Sequence, residues 1–184
     1  MTHTRLPLIT VFGLGHMRPA SGTWGSMPPV VIAGILWLVG CSPAASKPVS
    51  PLLFDAAKSM GSGVAASVYY GVLSILFLVF CWACVRFGDQ AEATFGHDPK
   101  ECVADETAGQ CLSLLVLPAA AFMTWKSAVL WLGVSFVLFR IFDIVKPWPA
   151  KQIQKAPGGW GILLDDLFAG AYAAIVVGVA SRML

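Results

Sequence analysis

Carboxylates are scarce in this chain, and they are not placed as on a solvated surface. Ten of its 184 residues are acidic. Five of the ten stand in three spots flanked by apolar residues: Asp105-Glu106, Asp143 and Asp165-Asp166. The last pair sits between Ile162-Leu163-Leu164 and Leu167-Phe168, which is neither a loop nor a wetted helix face. A carboxylate in an apolar span costs about 2.5–3.5 kcal/mol at mid-bilayer and less near the interface. Adjacent carboxylates also repel, and a bound cation relieves both penalties. Histidines are few, and Cys81-x-x-Cys84 lies in an apolar run with no charged neighbour to make a thiolate. The expected ligands are therefore hard oxygens, a set that suits magnesium or manganese and not zinc. Asp105 and Glu106 have a second reading, as acids complementing a helix N-terminus for about 0.3–1 kcal/mol.

Basic residues accompany the acids. Arg140, Asp143 and Lys146 fall at i, i+3 and i+6, one stripe on a helix end that Pro147-Trp148-Pro149 terminates. The stripe reads either as a snorkelling anchor beside an interfacial Trp148, or as a phosphate clamp around a metal ligand. Near the start, Gly13 to Ser26 is rich in glycine and hydroxyls. Gly22, Thr23, Gly25 and Ser26 could cradle an anion with backbone N–H groups and side-chain donors. A turn-rich linker is the other reading, because neither a dinucleotide fingerprint nor a P-loop is present. Other phosphatase chemistries lack their residues: there is no Cys-x5-Arg loop, no Asp-x-Asp dyad, no suitably placed histidine pair and no CDP-alcohol phosphotransferase pattern.

The elements that hold these residues are apolar. The chain is 57% hydrophobic and 12% charged, about half the charge of an average soluble domain. A soluble globule of this length cannot hide so much apolar surface, disorder is excluded, and a net charge of +2 gives no argument for nucleic acid. The composition predicts an all-α, multi-pass membrane bundle of about four to five spans, a single domain over residues 1–184. Five apolar segments supply the spans: Met27–Cys41, which opens on two prolines, Val64–Val85, Thr107–Trp125 with a kink at Pro118, Ser127–Val145 and Trp160–Ala180. Helices are expected because ten-residue barrel alternation is missing. The connecting segments are Ser42–Gly63, Arg86–Glu106 and Lys146–Gly159.

Five spans would put the N-terminal region, the 86–106 linker and the 140–159 region on one side, with eight basic residues against four on the other. That bias places this side, with all three carboxylate groups, in the cytosol. A cation transporter would also carry aspartates in spans, but nearer mid-membrane in broken helices.

Three blocks of this chain resemble phosphatidylglycerophosphatase A: Asp98-Pro99 through Val103-Ala104-Asp105-Glu106-Thr107-Ala108-Gly109, Phe139-Arg140-Ile141-Phe142-Asp143-Ile144-Val145-Lys146-Pro147-Trp148-Pro149, and Gly158-Gly159-Trp160 through Asp165-Asp166-Leu167-Phe168-Ala169-Gly170. Gly22-Thr23-Trp24-Gly25-Ser26 is similar too. The blocks occur in the family's order from about residue 11 to 175. Two departures are Ser21, where the family usually has proline, and a longer Ser42–Gly63 linker. The resemblance implies a magnesium-dependent enzyme of the bacterial inner membrane. Its substrate would be a membrane phospholipid, phosphatidylglycerophosphate, hydrolysed to phosphatidylglycerol and phosphate. Asp105, Glu106, Asp143, Asp165 and Asp166 would form the metal shell and activate water, with Arg140 and Lys146 on the phosphoryl oxygens. Another lipid phosphate is the alternative substrate, and the oligomeric state is left open.

Overall fold

A computed structural model describes residues 6–44, 62–96, 99–153 and 158–183. Asp98 and most of the Ser42–Gly63 linker lie outside these. Helices account for the regular structure, and no strand occurs among the described residues. Among the described residues there are six α-helices, α1 (Ser21–Leu38), α2 (Ser62–Phe95), α3 (Ala104–Leu115), α4 (Trp125–Val145), the single turn α5 (Ala150–Ile153) and α6 (Gly159–Met183). Short 3₁₀ turns occur at Leu14–His16 and Ala119–Phe122.

Three of these helices, in α2, α4 and α6, are long and apolar enough to cross a membrane. They contain the segments expected at 64–85, 127–145 and 160–180. The other two apolar segments form shorter elements. The 107–125 segment is no kinked span: α3 has 12 residues, about 18 Å of helix, against a hydrocarbon core of about 30 Å. Val116 and Pro118 end it, and a 3₁₀ turn leads on to α4.

Helix α1 starts seven residues before Pro28, so Pro28 and Pro29 lie inside it. Pro29 has no N–H for the Gly25 carbonyl four residues back. The Thr107 hydroxyl supplies the missing donor, reaching Gly25 O at 2.7 Å and so tying α1 to α3.

Short α3 is the hub. Nine of its twelve residues are buried, with α1, α2, α4 and α6 packed around it. Its crossing with α6 is close because both faces are glycine: a Cβ on Gly109 would meet Asp166 O at 2.5 Å, and one on Gly170 would strike the Gly109 carbonyl. Small residues permit such backbone contact between membrane helices. At the start of α3, the Ile9 carbonyl accepts from Val103 N (3.0 Å) and Ala104 N (3.2 Å), satisfying two orphan donors of the helix. The Leu6–Met17 segment is thereby fixed to the same end of the bundle as Asp105. At the far end Trp37 Nε1 donates to Phe122 O (3.2 Å) and Tyr69 Oη to Leu114 O (3.3 Å).

Candidate active site

Four elements converge on one end of the bundle around a cavity of about 780 Å³. The first turn of α3 contributes Asp105 and Glu106, the last two turns of α4 Arg140 and Asp143, and the second turn of α6 Asp165 and Asp166. Lys146 caps α4. All seven line the cavity together with Gly22 at the start of α1. Residues some 60 positions apart in sequence thus share one wall, and the glycine contact between α3 and α6 is what brings Asp166 to Asp105.

The five carboxylates separate into two sets. Asp105, Glu106 and Asp166 can each offer an oxygen within 4.8 Å of the others. Asp105 is 9% exposed and Asp166 3%. Glu106 Oε2 and Asp166 Oδ2 are buried with no hydrogen-bond partner. Burial, reinforced by the neighbouring Glu106, pushes the Asp105 carboxyl well above the usual carboxylate range, and burial pushes Glu106 up to about 7. Asp143 and Asp165 instead hold cations: Arg140 Nη1 lies 2.6 Å from Asp143 Oδ2, and Lys146 Nζ 2.5 Å from Asp165 Oδ2. Burial is the largest influence on the Lys146 ammonium and would depress it, but the bond to Asp165 and the charges of Asp165, Asp166 and Asp143 together outweigh burial and raise it. Were all five carboxyls ionised, they would exceed the two cations by three charges around the cavity floor, and the raised carboxyls of Asp105 and Glu106 are how the bare site sheds part of that excess.

Lys146 is also strained. It sits in the left-handed region at φ 45, an unusual place for a lysine and more so before a proline. Its N–H still donates to Phe142 O at 2.8 Å, and the turn aims the ammonium back over α6.

The glycine-rich stretch is placed differently from expectation. Gly22 to Ser26 is the first turn and a half of α1, not a loop, and Thr23, Gly25 and Ser26 do not line the cavity. Gly25 is there for packing, since a Cβ would meet Val103 Cβ at 2.5 Å. Ser26 is fully buried; its hydroxyl donates to Gly22 O (2.7 Å) and accepts from Arg140 Nη1 (3.5 Å). It therefore supports the clamp from behind. Gly22 alone faces the site: a Cβ would lie 2.5 Å from Glu106 Oε1 and 2.7 Å from Arg140 Nη1.

Five polar residues on the cavity wall were not among the sequence candidates: His16, Arg18, Ser21, Lys100 and Glu101. Their sequence signal is thin, polar residues beside segments that carry the motif glycines and carboxylates.

A family model described as Phosphatidylglycerophosphatase A matches residues 8–181. A Haemophilus influenzae protein named Phosphatidylglycerophosphatase A is 30% identical over 168 residues, covering 90% of this chain and 82% of its own. A Bacteroides thetaiotaomicron protein named "Putative phosphatidylinositol-3-phosphatase" is 30% identical over 177 residues, covering 95% and 93%. The Escherichia coli protein named Phosphatidylglycerophosphatase A is 38% identical over 79 residues, 42% of each chain. No solved structure matches.

Proposed function

This chain belongs to the phosphatidylglycerophosphatase A family, phosphoric monoester hydrolases of phosphatidylglycerol synthesis, and from that premise we propose a magnesium-dependent reaction at the cytosolic face of the bacterial inner membrane. The observation that carries the reading is the three-carboxylate cage beside two ion-paired cations on one cavity floor. The donor set fits a hard divalent cation: all oxygen, buried, in negative excess, and with two carboxylate oxygens lacking any donor.

Asp105, Glu106 and Asp166 would hold the ion, which when bound neutralises phosphoryl oxygen charge and makes water a better nucleophile. Arg140 and Lys146 turn the N–H groups not used by Asp143 and Asp165 toward the phosphoryl oxygens, where charge grows in the transition state. Asp143, between Arg140 and Asp166, accepts the proton of the attacking water. The phosphorus–oxygen bond to the glycerol carbon chain breaks, and the departing oxygen takes up a proton to give the free hydroxyl of phosphatidylglycerol. Apolar walls on α4 and α6 keep the acyl chains in the bilayer while the headgroup enters the cavity.

Phosphate release from phosphatidylglycerophosphate by the purified chain tests this. Chelation should abolish release and added magnesium restore it, and Asp143→Asn or Asp165→Asn should each lower it about a hundredfold or more. Release that persists in chelator, or survives both substitutions, contradicts the metal–carboxylate mechanism. A second substrate class, the inositol lipid phosphates, is suggested by the name of the Bacteroides relative and belongs in the same assay panel.

A further inference from the structure

The cavity is larger than one phosphate needs, and its cations fall into two groups. The inner pair, Arg140 and Lys146, is neutralised by Asp143 and Asp165. The outer pair, Arg18 and Lys100, is exposed at the mouth, and neither has a carboxylate within ion-pair distance among the described residues. They come from separate segments that the fold presses together. Gly15 sits directly against the Glu101 carbonyl, where no side chain fits, so the residues after Gly15 and the residue before Glu101 share one rim. Glu101 also lines that rim, and two cations with one carboxylate leave a single positive charge.

We propose that Arg18 and Lys100 form a second anion subsite that takes the phosphodiester of the lipid headgroup while the inner end takes the terminal monoester. The proposal rests on the lipid phosphatase reading above. A phosphodiester carries one negative charge, which matches the rim. A guanidinium and an ammonium bind such an oxyanion through charge-assisted hydrogen bonds. A substrate bearing two anionic groups can engage both ends of the cavity, whereas a lipid bearing only a monoester leaves the outer one unused. The subsite therefore sets selectivity for headgroups in which a polyol separates the two phosphates.

The full-length protein in detergent serves for the test, with Arg18→Gln and Lys100→Gln made singly and together. The first readout is the ratio of kcat/KM for phosphatidylglycerophosphate to that for phosphatidate, which has a monoester only. Removing both charges is expected to lower the ratio tenfold to a hundredfold, mostly through KM. The second readout is direct binding of phosphatidylglycerol, which keeps the diester and lacks the monoester; its Kd is expected to rise about tenfold in the double variant. An unchanged ratio with an unchanged Kd overturns the subsite. Equal losses on both substrates also overturn it, since they indicate general attraction of anions. If the unaltered chain releases no phosphate from either lipid, the reaction reading fails. The phosphatidylglycerol Kd then still decides for or against the subsite.

Discussion

Gly22 is the residue on which the cage and the clamp meet. Its missing side chain leaves room for Glu106 Oε1 and the Arg140 guanidinium to approach one point of α1. Gly22→Ala should displace one of them and lower kcat about tenfold or more with little change in helix content, which phosphate release and circular dichroism together would check. Lys146 separates backbone from charge in the same way. Both Lys146→Gly and Lys146→Gln should lose about a hundredfold in activity. The glycine variant should nonetheless be the more stable of the two by about 1 kcal/mol, because only it accepts φ 45 without strain; thermal unfolding in detergent gives the ordering. The seven charged residues of the site were legible in the sequence because a charge inside or at the edge of an apolar run is expensive and needs a partner. Their division into a cage and two ion pairs was not legible, since it depends on which oxygen meets which cation across three helices. The hydroxyls of Thr23 and Ser26 looked like ligands for an anion, and the helix turned them away from the cavity.

At the scale of elements, α3 and α6 touch backbone to backbone, so the position of Asp166 relative to Asp105 is set by two glycines. Gly170→Ala would force a methyl against the Gly109 carbonyl, which cannot swing aside as a side chain does. The expected cost is about 1–3 kcal/mol, together with weaker apparent magnesium affinity because the carboxylates of the cage are spread. A magnesium titration of activity alongside thermal unfolding measures both. The three long helices follow from run length alone. The two shorter elements do not: a proline inside a helix is readable as tolerated only once Thr107, 82 positions from Gly25, is known to supply the lost hydrogen bond. Likewise Pro118 reads as a kink until the hub position of α3 shows that a half-length helix, shielded on all sides by protein, has no need to reach the other surface.

For the whole molecule, the N-terminal segment, the 99–103 turn and Lys146 at the end of α4 gather at one end of the bundle around the cavity. Lys100 belongs to that end, and Lys126, in the first turn of α4, to the other. Cysteines placed at these two positions in a chain freed of its own five should react with an impermeant thiol reagent from opposite faces of the membrane, Lys100→Cys from the cytosol. Reaction of both from one face would contradict α4 as a membrane-crossing helix with the cavity at its far end. The longest helix bears on the same end. At 34 residues α2 is about 51 Å long, well over a hydrocarbon core of about 30 Å, and its charged residues, Arg86, Asp89 and Glu92, all fall in its last turns. The site leans on that extension: Gly88 abuts Gly159, Asp89 abuts Gly158, and the His16 ring sits edge-on to Phe95 at 6.0 Å. Such a helix is a mast rooted in the bilayer, with the mouth of the cavity rigged to its top. In a thinner membrane a long span tilts, and the rigging goes with it. Bilayer thickness, a property of the solvent and not of the chain, thereby becomes a variable of the active site.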